Sequence, residues 1–255
     1  MLPLVHLITL QETPERSQDA QAQLTHYNLP FQVHTFQRQS PGWKGCLSSH
    51  LAVFTQFLQT KEEICFICED NLFAWLPEIP SILLKDLETW YQRDDWDVLF
   101  LGGYILRPWS RREFTDCPRI VRTYGYNHGS VCYLIRRKTI EQILHSHQEI
   151  PFDILLDSYR TFIHSSFLFI HTSNHASNVN PHQDWWRKIW FSPVITNINR
   201  TIFFSPWRRE VFLLMVVVLL LYMYKKYKRE ERRDSEEDSL RLFFADEERS
   251  PSNHQ

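Results

Sequence analysis

Short apolar runs alternate with longer amphipathic stretches over the first two thirds of the chain, separated by clusters of Pro, Asn, Asp and Ser. Residues 2–10 are a nearly continuous apolar run closed by a Thr/Pro/Glu turn, the pattern of a buried strand. Thr13 and Pro14 then read as the N-cap and first residue of a helix reaching about Tyr27, since proline's missing N–H costs nothing in a first turn. Residues 31–36 alternate apolar with polar and predict a second strand. A helix is expected over 47–59, with Gly45 just before it and Leu47, Leu51, Phe54 and Leu58 on one face. A central strand over 64–68 follows, stopping abruptly at Glu69-Asp70-Asn71 and a loop through Pro77 and Pro80. Beyond it the pattern predicts a helix over 81–93 and a strand over 98–101 that ends in Gly102-Gly103. A loop or hairpin is expected over 104–126, a strand over 128–135 running into a helix to about His145, and a last strand over 162–170. This strand–helix–strand alternation predicts an α/β domain with a Rossmann-type opening.

Composition narrows the picture in three ways. The length suits one well-buried domain with an appendage. A formal net charge of -2 gives no reason to expect nucleic acid as a partner. The 5 cysteines, an odd number without a regular framework, do not read as a disulfide scaffold. Cys65 and Cys68 lie three apart within a strand, so they point to opposite faces, and buried thiols are expected rather than a metal knuckle.

The chemistry gathers after the central strand. Open α/β sheets bind ligands just past the carboxyl ends of their strands. Two carboxylates and an amide delivered there, Glu69, Asp70 and Asn71, suit a cation and a phosphorylated substrate. Ser49 and His50 are expected in the first turn of their helix, where free N–H groups favour anions. A single helical His also serves as an ordinary buried hydrogen-bonding residue. Asp95-x-Asp97 sits at the amino end of its strand, the wrong end for a site, and reads as structural.

The block Gly45-Cys46-x-x-Ser49-His50, the acidic triplet after a strand, and Trp96-Asp97-Val98-Leu99-x-Leu101-Gly102 together resemble glycosyltransferase family 25, over residues 1–183. The resemblance implies a GT-A-like, Rossmann-type nucleotide-sugar domain and transfer of galactose or glucose from a UDP-sugar to a glycan or protein acceptor. It implies Thr9, Leu10 and Arg16 on the donor side, with Arg16 alternatively an exposed first-turn residue. Gly45, Ser49 and His50 would bind the donor as well. Glu69, Asp70 and Asn71 would hold Mn²⁺ or Mg²⁺, with Asp70 and Asp153 as catalytic groups. Asp153 matches the Asp of the family's Ile-Asp-x-x-Leu element, and its other reading is an N-cap for the helix that follows. Residues 104–126 would border the acceptor, and 171–182, with three His, would close over the donor. The family's usual triplet is Glu-Asp-Asp. Asn71 replaces a charged ligand with a neutral one, which opens a second reading: a catalytically weakened or inactive glycosyltransferase-like binding module on a membrane.

Residues 211–224 form an unbroken run of 14 apolar or aromatic residues, about 21 Å of helix against a hydrocarbon core of about 30 Å. Arg208, Arg209, Lys225 and Lys226 flank it and can snorkel, and Trp207, Tyr222 and Tyr224 suit the interface. A single-pass membrane protein of an internal membrane, endoplasmic reticulum or Golgi, is therefore expected. The expected order is a domain over 1–183, a juxtamembrane linker over 184–207, a transmembrane helix over 208–226 and a charged disordered tail over 227–255. The basic run after the span argues for a cytosolic tail and a lumenal domain, whereas residues 1–10 lack the basic start of a signal peptide and leave the opposite topology open.

Overall fold

The structure, a computed structural model, describes residues 2–74, 76, 78–102, 112–124, 129–146, 148–171, 210, 213–214, 217–218, 220–222 and 224–225. The chain divides into two units, Met1–Ser205 and Pro206–Gln255. In the first, the expected opening is present: β1 (Val5–Leu10), α1 (Pro14–His26) and β2 (Phe31–Phe36), with the two strands parallel. Then follow α2 (Gly42–Phe57), β3 (Ile64–Glu69), β4 (Leu72–Ala74), α3 (Ile79–Trp90) and β5 (Val98–Phe100). The remainder is β6 (Arg112–Phe114), β7 (Ile120–Thr123), β8 (Cys132–Arg136), α4 (Arg137–Ser146), α5 (Phe152–Leu156), β9 (Thr161–His164) and β10 (Phe169–His171).

Eight strands make one mixed sheet in the order β2-β1-β3-β8-β5-β9-β7-β6. β8 and β7 run against the other strands. Strand alternation feeds two cores. Val5, Leu7, Phe66, Cys68, Leu99 and Leu134 face one side, where α1 lays Ala20 and Leu24 and α3 lays Leu83, Leu87 and Trp90. Ile8, Cys65, Ile67, Phe100, Tyr133 and Ile135 face the other, against Val53, Phe54 and Phe57 of α2, Ile140 of α4 and Phe152 of α5. Helices thus cover both faces of an α/β sheet, and the two Cys65-x-x-Cys68 thiols are buried in separate cores.

Four expectations change. α2 starts at Gly42, directly after the extended Pro41, so Gly45 lies inside the helix rather than before it. α3 starts at Ile79 because Pro80 fits its first turn, where no N–H is needed. The expected loop after the triplet contains β4, which pairs antiparallel with β10. The apolar run 162–170 is two strands, because Phe167 adopts a left-handed φ of 45° and turns the chain between them. The bridge from Gly102 to Phe169 brings backbone so close that a Cβ at Gly102 would stand 1.8 Å from the Phe169 carbonyl oxygen, so the position takes only glycine.

Among the described residues no helix is long and apolar enough to cross a membrane. Within 208–226, the described positions Glu210, Leu213, Leu214, Val217, Val218, Leu220, Leu221, Tyr222, Tyr224 and Lys225 are helical and exposed. Gly103, residues 172–182 of the donor-closing segment and the tail 227–255 lie outside the described residues.

Candidate functional site

Strand order reverses between β1 and β3: the chain moves from β1 outward to β2, then crosses back to β3 on β1's other side. The carboxyl ends of those two strands hold Leu10 and Glu69, and this is where open α/β sheets bind ligands. The Asp70 N–H donates to the Ile8 carbonyl at 3.0 Å, which locks the two strand ends together. The Asp70 carboxylate accepts from the Arg16 guanidinium. Arg16 and Asp70 are each about 5% exposed. Burial pushes the Asp70 carboxyl up to about 6, against the pull of Arg16. Arg16 is therefore not the exposed first-turn residue of the alternative reading. Asp70, expected as ligand and catalyst, is engaged in a buried ion pair that ties α1 to the β1–β3 edge.

A second cluster forms on the α2 side of the same edge. His50 is 1% exposed and stacks on Phe152, ring centroids 3.9 Å apart and planes 8° from parallel. Its Nε2 lies 3.2 Å from Glu69 Oε1, and its Nδ1 lies 2.7 Å from the Tyr133 hydroxyl. Ser130 joins the acids: its hydroxyl donates to Glu69 Oε1 at 2.7 Å and its N–H to Asp153 Oδ1 at 3.2 Å. Asp153 stands in the first turn of α5, whose N-cap position Pro151 occupies. The N-cap reading of Asp153 is therefore replaced by a contact across to Ser130. Burial raises the Asp153 carboxyl and nearby Glu69 raises it further, while Ser130 pulls the other way. Burial, Glu69 and Asp153 together lift the Cys46 thiol well above its ordinary value.

The remaining predicted residues have internal roles. Because α2 begins at Gly42, Ser49 and His50 are beyond its first turn and face inward, so they offer no helix-end N–H groups to an anion. Ser49 donates to the Gly45 carbonyl at 2.9 Å, and an added Cβ at Gly45 would crowd Gln39 at 3.2 Å. Thr9 is buried, its hydroxyl 3.3 Å from that of Thr35 on β2. Asn71 donates to Glu69 Oε2 at 3.4 Å. Within the triplet, one Asp70 oxygen accepts from Arg16, and the Asn71 amide nitrogen faces Glu69. Ser130, Tyr133, Phe152 and Cys46 complete the site; Cys46 belongs to the Gly45–His50 block, and sequence reading passed over the other three. Only the Cys46–His50 spacing, one helical turn apart, carried a readable signal.

Three acidic residues elsewhere are structural. The Arg160 guanidinium forks onto Asp97 with both contacts at 3.0 Å, and Asp95 takes Arg93, as expected for the Asp-x-Asp pattern. A cavity of about 410 Å³ adjoins Asp97, Arg122, Gln142, Tyr159 and Arg160, at the amino ends of β5 and β9 and away from Glu69. Buried Asp86 accepts a bidentate Arg119 at 2.6 and 2.7 Å and His164 Nε2 at 2.8 Å. The Ser166 N–H donates to His164 Nδ1, so the ring proton sits on Nε2 and His164 is neutral.

No family model and no curated protein matches this chain. Solved structures with a similar arrangement include a glycosyltransferase involved in the glycosylation of the major capsid of PBCV-1, at 8% identity and a TM-score of 0.42 over 73% of this chain and 100% of that one. Others are mannose-1-phosphate geranyltransferase from Thermus thermophilus, at 12% identity and TM-score 0.37 over 64% and 74% of the two chains, and the inositol-1-phosphate CTP transferase from T. maritima, at 11% and 0.38 over 78% and 77%. At these identities and scores the likeness assigns neither activity nor ligand to this chain.

Proposed function

We propose that this chain is a glycosyltransferase that transfers galactose or glucose from a UDP-sugar to a glycan or protein acceptor. The observation that carries the reading is the gathering of Glu69, His50, Ser130 and Asp153 at the carboxyl edge of β1 and β3, where the strand order reverses. The resemblance to family 25 in the Gly45–His50 block and the triplet supplies the donor class. Burial and Glu69 raise the proton affinity of Asp153, which makes its carboxylate a stronger base for the acceptor hydroxyl's proton. Glu69, partly exposed and braced by Ser130, faces the donor. The Mn²⁺ or Mg²⁺ that the resemblance implies would be held by Glu69, Asp70 and Asn71 and would stabilise charge on the leaving diphosphate.

The buried Asp70–Arg16 pair favours one second reading: a domain that binds a nucleotide sugar without turning it over. UDP release by the full chain across a panel of UDP-sugars, with and without added cations, separates the two. Turnover of one donor supports the transferase. Saturable binding without turnover supports the binding module, and the absence of both turnover and binding overturns both readings. We also propose that residues 208–226 anchor the chain in a membrane, with the apolar run 211–224 between basic ends. Full-length protein released from membranes by alkaline carbonate would contradict that.

A further inference from the structure

We propose that Cys46, His50 and Glu69 bind one thiophilic divalent cation of the zinc class. The inference goes beyond the transferase reading and does not rest on it. Cys46 and His50 stand four residues apart on α2 and so share a face. Glu69 ends β3 opposite them. One ligand atom from each, the Cys46 sulfur, a His50 ring nitrogen and a Glu69 carboxylate oxygen, lies within 4.8 Å of the others. Tetrahedral zinc with these ligand types separates its donors by about 3.5 Å. The His50–Glu69 edge already measures 3.2 Å, so closing the site needs only a side-chain adjustment at Cys46.

The surroundings hold the ligands in place. Phe152 fixes the plane of the His50 ring, Tyr133 holds Nδ1 at 2.7 Å, and Ser130 braces Glu69 Oε1 at 2.7 Å. Such outer contacts orient metal ligands and set which ring nitrogen is free. Glu69 and Asp153 crowd negative charge against the Cys46 sulfur, and a cation in their midst turns that repulsion into attraction. The Glu69 side chain is 21% exposed, which leaves one side of the site open to a fourth ligand from solvent or substrate. A sulfur–nitrogen–oxygen set selects Zn²⁺ or Co²⁺ over Mn²⁺ and Mg²⁺.

The protons balance simply. Cys46 loses its thiol proton to solvent as the sulfur–metal bond forms. The Nε2 lone pair of His50 goes to the metal, and the ring proton on Nδ1 is donated to the Tyr133 oxygen. One proton is released per cation bound.

The test is cation binding by the full chain without nucleotide, so that failure of the transferase reading leaves it intact. We expect one Zn²⁺ per chain by elemental analysis, tighter binding of Zn²⁺ than Mn²⁺ in chelator competition, and a thiolate-to-cobalt charge-transfer band with Co²⁺. Cys46→Ser abolishes the band, Cys117→Ser retains it, and Tyr133→Phe weakens zinc binding by ~10–100-fold. Should Cys46→Ser fail to fold, zinc protection of Cys46 from maleimide in the unmodified chain, mapped by mass spectrometry, decides instead. Folded protein that takes up no zinc, a band that survives in a folded Cys46→Ser protein, equal affinity for Mn²⁺, or Cys46 left unprotected would each overturn the proposal.

Discussion

Replacing Arg16 with Met removes the partner of a carboxylate buried at the β1–β3 edge. Arg16 and Asp70 are both about 5% exposed, so solvent cannot restore what the guanidinium provided. Breaking a buried ion pair from one side costs about 3–5 kcal/mol, because the surviving charge is left uncompensated. For a domain of this size that lowers the melting temperature by roughly 6–20 °C. The pH dependence gives a second signature. Asp70 is held at about 6 in the folded chain, above its ordinary value of ~3.9 when unfolded. The folded state therefore binds the extra proton, and that contribution is full below pH ~4 and lost as pH rises through about 6. Without Arg16 the folded value rises further, so the Arg16→Met deficit grows as pH rises. Urea unfolding across pH 4.5–8, read by far-ultraviolet circular dichroism, measures both effects. Arg16→Met with Asp70→Leu removes both charges and recovers most of the loss. A drop below ~1 kcal/mol for Arg16→Met, or a deficit independent of pH, would refute the structural reading of Asp70.

Other parts of the sheet make further predictions. Burial alone would raise Asp86, but hydrogen bonds from His164 and Arg119 hold its carboxyl at about 2. Its contribution is present above pH ~4 and lost as pH falls toward about 2, about 1–2 kcal/mol after allowing for the partial exposure of Arg119, and Asp86→Asn flattens that acid limb in a pH-resolved melt. Phe152→Ala removes the ring stacked on His50 and costs ~3–5 kcal/mol in denaturant titration. Asp97→Asn, at the partly exposed Arg160 fork, costs about 1 kcal/mol and leaves UDP-sugar turnover unchanged, measured by UDP release. Glu69→Gln keeps the melting temperature within a few degrees but lowers turnover about 100-fold or more, as loss of a preorganised charged group does in other active sites.

The architecture was legible because the strands are short apolar runs and each strand's alternation serves two cores. Val5 and Leu7 face α1 while Ile8 faces α2, and a run with few polar positions signals that double burial. The breaks were harder to read. Nothing in Ser165-Ser166-Phe167 announces the left-handed Phe167 that divides the final run. Pro41 and Pro80 fix helix starts earlier than the apolar stripe suggests, since the first turn of a helix need not be amphipathic. At the site, Glu69, His50 and Asp153 were each visible as single residues, and the structure brings them together through Ser130 and Tyr133. Those contacts join β3, α2, β8 and α5, and no local spacing encodes them. Asp70 was read as a ligand from its place in the triplet. Its real partner, Arg16, lies 54 positions earlier and reaches it only because β1 and β3 pair.

Hydrogen–deuterium exchange of the full chain with and without a saturating UDP-sugar tests most directly whether the β1–β3 edge is where the donor binds. The account predicts added protection confined to peptides spanning Leu10–Arg16, Glu69–Leu72 and Ser130–Cys132. Protection appearing instead at Asp97, Arg122 and Arg160, around the cavity at the opposite edge, would contradict it.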